Sequence, residues 1–303
     1  LPPKQATNGY IRTVEISFYI TNAPVQHGFQ QSRQGSEAGM QAVTIDGVPT
    51  HYAVDGPDDA PALVFANSLG TDFRIWDGVL ERLGGRFRTI RYDIRGHGLT
   101  GLGGGAFGMP RLAADLDALL EHLGVKAALV CGLSIGGLIA QQLVRDNPAR
   151  VRALVLCDTA ARIGTPEMWQ SRIAAIEQGG LEGLADAVME RWFAPVFHLA
   201  RPDELAVWRS MLVRTPAEGY AGACAALRDA DLTADAGRIA VPTLVVCGAD
   251  DGATTPETVK ALADSIPGAR YREIAQAGHL PCVEQPAALA GHMLTFFEEV
   301  GLV

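Results

Sequence analysis

The chain has 303 residues, 48% hydrophobic and 19% charged, enough to bury a sizeable core and too apolar for disorder over most of its length. A formal net charge of -9 argues against nucleic acid as a partner, because phosphate binding needs a basic surface that releases counterions. The longest apolar runs, Ala127 to Cys131 and Val241 to Cys247, fall far short of the roughly 20 residues of a membrane-spanning helix, so no membrane partner is expected either.

Residues 1–39 are rich in Gln, Ser, Asn and Gly and lack sustained periodicity. Met40 directly before the patterned region reads as the natural start. The stretch has neither the apolar centre nor the cleavage site of a secretory signal, so an upstream leader or an artificial addition outside the fold is expected.

From Val43 the pattern is strand, turn at Gly47 and strand through Tyr52 and Val54, an antiparallel hairpin at a sheet edge. Strands and helices then alternate. Strands are expected at Ala62 to Ala66, Phe87 to Tyr92, Ala127 to Cys131 and Val151 to Cys157, with helices between them at Trp76 to Leu83, Leu112 to Leu123 and Gly137 to Val144. Apolar runs joined by single helices mark right-handed crossovers and a parallel sheet covered on both faces. From about Asp158 to Ile239 the strands stop. This segment is alanine-rich and helix-like, carries Trp169, Trp192 and Trp208, and reads as an inserted cap at about 159–239. Strand, helix and strand resume at Thr243 to Cys247, Glu257 to Ser265 and Ala269 to Ile274, and a last amphipathic helix runs from Ala287 to about Val300.

The five cysteines, Cys131, Cys157, Cys224, Cys247 and Cys282, form no Cys-x-x-Cys pair and read as buried thiols of a reducing cytoplasm. No His, Cys or carboxylate cluster has zinc-like spacing, so no metal is expected. Gly103 to Gly108 fits Gly-x-Gly-x-x-Gly but follows a loop rather than a strand, which removes its dinucleotide meaning.

The strongest local signal is Gly132-Leu133-Ser134-Ile135-Gly136, which follows an apolar strand and leads straight into a helix. A serine on so sharp a turn takes strained backbone angles, and glycines two residues either side let neighbouring chains approach. The helix N-terminus and the Ile135 amide would then face a developing oxyanion, which makes Ser134 the candidate nucleophile. A second oxyanion donor is expected in the loop Asn67 to Thr71, with the Leu69 amide nominated. Among the seven histidines, His27 and His51 come too early, His122 and His292 sit within helices, and His198 lies in the cap. Arg95-Gly96-His97-Gly98 reads as a structural turn. His279, in the loop after the last strand, lies where parallel sheets place their sites and is the candidate base. The acid that orients it should follow the strand ending at Cys247, where both Asp250 and Asp251 qualify.

These residues resemble the α/β-hydrolase superfamily over Met40 to Val303, and more narrowly the 3-oxoadipate enol-lactonases. The narrower resemblance rests on Asn67-Ser68-Leu69-Gly70-Thr71-Asp72, Arg91 to Gly98 and Gly132 to Gly137, and in the cap on Thr159 to Gly164, Trp169, Arg191-Trp192-Phe193 and Glu218-Gly219-Tyr220. It implies a mostly parallel eight-stranded sheet flanked by helices, with a helical cap inserted after the sixth strand. It also implies a Gly-x-x-Asp acid, hence Asp251, and an Ala-Gly-His loop, hence His279. Ile135 departs from the methionine commoner there, with little expected effect because its amide carries the role.

The implied reaction opens a small-molecule lactone, 3-oxoadipate enol-lactone, without metal or organic cofactor. An acidic protein that takes an anionic lactone needs a local positive group, and Arg162 and Arg191 are the candidates, with Trp192 as a pocket wall. The alternatives on the same scaffold are a carboxylesterase, a perhydrolase or a carbon-carbon bond hydrolase, and from another class a non-catalytic ligand-binding protein. The sequence sets no oligomeric state.

Overall fold

The computed structural model of the protein describes residues 40–303; the leader at 1–39, with His27 in it, lies outside the described residues. The strands are β1 (Gln41–Ile45), β2 (Val48–Asp55), β3 (Ala62–Ala66), β4 (Arg88–Tyr92), β5 (Ala128–Leu133), β6 (Val151–Cys157), β7 (Thr243–Gly248) and β8 (Arg270–Ile274). They form one sheet in the order β1-β2-β4-β3-β5-β6-β7-β8. β2 runs antiparallel to both of its neighbours, and every other pair is parallel. This is the α/β-hydrolase sheet, with the expected hairpin at its edge. Asp46 and Gly47 both take positive φ, 47° and 74°, as a two-residue turn matched to strand twist requires.

β5 and β7 are buried along their whole length, because helices cover both faces of the sheet. That is why they read as apolar runs rather than alternations. β8 closes the far edge and carries Arg270, Tyr271, Arg272 and Glu273, charges and polar groups that blunt an unpaired edge.

The helices before β6 are α1 (Asp77–Leu83), α2 (Met109–His122) and α3 (Ile135–Asp146). α2 begins earlier than its apolar spacing suggests, since Pro110 is at ease in a first helical turn. α3 also begins earlier, at Ile135. Glycines at 136 and 137 hide that first turn from propensity, but the backbone reversal at Ser134 fixes where the helix must start.

Between β6 and β7 lie α4 (Pro166–Gly179), α5 (Ala185–Trp192), α6 (Pro195–Ala200), α7 (Pro202–Val213), α8 (Ala217–Asp229) and α9 (Thr233–Ala236). α4 starts sharply: the Thr165 hydroxyl accepts from the Met168 amide at 3.2 Å, and Pro166 takes the first helical position. The chain ends with α10 (Pro256–Ser265) between β7 and β8, then α11 (Pro281–Glu284) and α12 (Pro286–Glu299). Among the described residues no helix is long and apolar enough to cross a membrane.

Candidate active site

Ser134 stands between β5 and α3 at φ 58° and ψ -116°, a left-handed conformation that costs a non-glycine residue about 1 to 3 kcal/mol. Two hydrogen bonds hold it there. Its amide donates to the Cys157 carbonyl at 3.0 Å, and the Thr159 hydroxyl donates to its carbonyl at 2.7 Å. The flanking glycines are steric necessities. A Cβ at Gly132 would lie 2.2 Å from the Gly136 carbonyl oxygen, and one at Gly136 would lie 2.2 Å from that of Ala66.

The loop after β3 is pinned from below. Buried Asn67 accepts from the Trp76 indole at 2.8 Å and donates to the Tyr92 carbonyl at 2.8 Å. Leu69 therefore faces Ser134 from a fixed loop, and neither the Leu69 nor the Ile135 amide is taken by a backbone hydrogen bond among the described residues. Both are available as donors.

His279 follows β8 and is 2% exposed. Its amide donates to the Trp192 carbonyl at 2.8 Å, tying this loop to α5. The preceding Gly278 amide donates to Glu284 at 2.6 Å, and the other oxygen of Glu284 accepts from the Ala194 amide at 2.8 Å. The ring Nδ1 of His279 lies 2.9 Å from Asp251 Oδ2. Asp251 also accepts from the Ala253 amide at 2.7 Å, the Thr254 amide at 3.0 Å and the Thr254 hydroxyl at 2.7 Å. Burial alone would raise the Asp251 carboxyl; the His279 partner, the Thr254 hydroxyl and the Ala253 amide outweigh it and hold it below the usual carboxylate range. Asp250, the other sequence candidate, is exposed.

Ser134 and His279 open on one cavity of about 70 Å³. No hydrogen bond joins them in this structure, and such contacts commonly tighten only around substrate. Over them lie Met168, Trp169 and Arg172 of α4, Arg191 and Trp192 of α5, and Tyr220 of α8. The two arginines are the site's electrostatic signature. Neither has a carboxylate partner among the described residues: Arg191 Nε reaches only the Gly252 carbonyl at 3.4 Å, and the Arg172 guanidinium lies 5.3 Å over the Trp169 ring. Burial, and then the charge of Arg172, lower Arg191 from its ordinary value.

One sequence expectation changes here. Arg162 does not reach the cavity: the loop after β6 turns it outward, and its half-exposed guanidinium pairs with Asp231 at 3.3 Å. The cavity holds Arg172 instead. That residue was legible only as the one a helical turn beyond Trp169. The turn at Arg95 to Gly98 packs behind the cavity wall. His97 is fully buried, its ring lies 6.4 Å from that of Tyr220, and burial lowers it to about 4. A larger groove, bordered by His51, Phe73, Arg74, Leu99 and Trp208, holds neither Ser134 nor His279. Its size does not make it the reaction site, since His51 there is paired with Asp93 at 2.8 Å.

The doubly wound sheet, the strained serine between β5 and α3 and the histidine after β8 define an α/β hydrolase. The chain belongs to the alpha/beta hydrolase fold family, whose profile matches residues 61–286. Within it, the chain is similar to the 3-oxoadipate enol-lactonases. It is 37% identical to 3-oxoadipate enol-lactonase 2 of Acinetobacter baylyi over 246 residues, 81% of this chain and 92% of that protein. It is 35% identical to 3-oxoadipate enol-lactonase 1 of the same organism, over 77% of this chain and 87% of that one. The crystal structure of the enol-lactonase from Burkholderia xenovorans superposes with a TM-score of 0.82 at 38% identity, covering 85% of this chain and all 100% of that one.

Proposed function

We propose that the protein hydrolyses the ring ester of 3-oxoadipate enol-lactone, with Ser134 as nucleophile, His279 as base and Asp251 as the acid that orients the base. The reading is carried by one observation: the cavity that holds Ser134 and His279 also holds Arg172 and Arg191, which have no carboxylate partners among the described residues. In a chain of net charge -9 such a pair is a local attractor for a carboxylate, and the side arm of this lactone ends in one.

His279 takes the proton of the Ser134 hydroxyl as the oxygen attacks the lactone carbonyl, and Asp251 stabilises the imidazolium that forms. The Leu69 and Ile135 amides hold the oxyanion. Collapse expels the ring oxygen as an enol, protonated from His279. The enol tautomerises to a ketone, which disfavours reclosure. Water activated by His279 then releases the acyl group from Ser134. The helical segment at about 159–239 acts as the cap that chooses the substrate, with Arg172 and Arg191 on the carboxylate and Trp192 as a wall. All five cysteines are free and buried, which supports a cytoplasmic site of action.

The test is steady-state hydrolysis of the enol-lactone beside a neutral aryl ester, for wild type and Ser134→Ala. Turnover of the lactone by wild type, and a loss of about 10³-fold or more in Ser134→Ala with the fold intact, is expected. A lactone kcat/KM no higher than that of the neutral ester refutes the substrate, and near-normal activity of Ser134→Ala refutes the mechanism.

A further inference from the structure

Beside Asp251 lies a second carboxyl that the mechanism above does not use. Asp158 follows the last residue of β6 at φ 47°, a strained angle for a non-glycine residue, and has no exposed surface. Its Oδ1 accepts from the Gly248 amide at 2.7 Å, while its Oδ2 has no partner among the described residues. Carboxyl oxygens of Asp158 and Asp251 and the Cys247 sulfur lie within 4.8 Å of one another. Two carboxylates so placed, out of water and with no cation beside Asp158 among the described residues, do not both ionise.

The donors decide which one is the anion. Asp251 receives two amides, one hydroxyl and the His279 ring, whereas Asp158 receives one amide. The Thr254 hydroxyl sharpens the point, since it lies 2.7 Å from Asp251 Oδ2 and 2.8 Å from the Asp158 carbonyl. Its single proton serves one of them at a time. A further proton is needed to keep Asp251 fully satisfied, and Asp158 is the buried group beside it able to carry one.

We propose that Asp158 is a positioning residue: it stays a neutral acid with its carboxyl proton directed at Asp251, and so fixes the placement and the charge of the group that orients His279. The inference rests on the triad reading given above. Burial, and then the charge of Asp251, raise the Asp158 carboxyl well above the carboxylate range. The other titratable groups near it stay protonated: the thiols of Cys157, raised by its Cys131 neighbour and by burial, and of Cys247 and Cys282, raised by burial, and the phenol of Tyr271, raised by burial.

The experiment compares the full chain with Asp158→Ala and Asp158→Asn. Infrared difference spectra at pH 7, wild type minus Asp158→Asn, are expected to show the C=O stretch of one protonated carboxyl. Absence of that band overturns the proposal, and because this reading needs no turnover, it separates failure here from failure of the hydrolase reading, which would show as an inactive wild type. In kinetics, Asp158→Ala is expected to lower kcat about tenfold with KM within about twofold. It should also move the acid limb of kcat/KM to higher pH, because Asp251 loses a donor and presents more charge to the base. Asp158→Asn keeps a neutral N–H donor of the same shape and should bring kcat and the limb back toward wild type. A shift of the limb to lower pH in Asp158→Asn would mean that a negative charge had been removed, and overturns the neutral assignment. A folded Asp158→Ala with unchanged kcat and limb overturns the positioning role; if that variant does not fold, the Asn variant and the infrared band still decide.

Discussion

Replacing Arg172 with methionine separates charge recognition from packing. The length of the apolar stem is retained, while the guanidinium that lies over Trp169 is removed from a cavity where no carboxylate among the described residues neutralises it. A charge-assisted contact between guanidinium and carboxylate contributes about 1.5 to 3 kcal/mol, so Arg172→Met should raise KM for the enol-lactone by about ten- to a hundredfold. The neighbouring Arg191 should become easier to hold, because the like charge that lowers it is gone. The melting temperature should therefore stay level or rise while affinity for the anionic substrate falls. A neutral aryl ester, assayed in parallel, should change by less than about threefold. Arg162→Ala serves as the control, since that side chain is paired with Asp231 at the surface, where exposed ion pairs contribute about 1 kcal/mol or less. Equal losses on lactone and neutral ester in Arg172→Met would refute carboxylate recognition, and a fall of several degrees in melting temperature would show that the guanidinium is structural.

Asp251→Asn should lower kcat by about 10⁴, while exposed Asp250→Asn should leave it within about threefold; reversed losses would make Asp250 the acid. Gly136→Ala should abolish the folded elbow, because its Cβ would lie 2.2 Å from the Ala66 carbonyl oxygen, whereas Gly179→Ala in α4 meets nothing within 4 Å and should stabilise by about 0.5 to 1 kcal/mol; a folded, active Gly136→Ala with wild-type melting would refute the close-approach account. Burial raises Glu284 from 4.5 to about 7. The folded state then binds more protons than the unfolded one between those values, so this group's contribution is full below pH 4.5 and is lost as pH rises through about 7, by about 3 kcal/mol at most. Glu284→Gln should flatten the fall in melting temperature across that window, and parallel curves for the two proteins would count against it.

The parts of the molecule legible in the sequence are those where one local constraint decides the residue. Buried strands must be apolar where they are covered, so β3, β5, β6 beyond exposed Arg152, and β7 were readable as runs, and the elbow was readable because only glycine fits at 132 and 136. Strand order was not readable from the residues. Nothing in Val48 to Asp55 or Arg88 to Tyr92 says that β4 lies outside β3 and pairs with β2, since that is settled by how helices pack across the sheet. Arginine direction was opaque for a related reason. Arg162 and Arg172 are alike as residues, and what separates them is that Asp231, 69 positions away in the chain, captures the first, while the second stands one helical turn from Trp169 on the inner side of α4.

Asp158 shows the same limit at closer range. In the sequence it marks only where the regular alternation ends. Its meaning depends on Asp251, 93 positions later by number, arriving at the neighbouring strand end, because β6 and β7 are adjacent and parallel. Two acids that are unremarkable apart become a proton-sharing problem once the sheet sets them side by side without water. The chemistry at this strand end is therefore set by the topology. The doubly wound order that carries Ser134, Asp251 and His279 to one edge carries Asp158 there too, and the protein must either leave its charge buried or keep it protonated. The one-amide environment of Asp158 beside the well-supplied Asp251 favours the second, which makes the protonation state of Asp158 a property of the fold rather than of the residue.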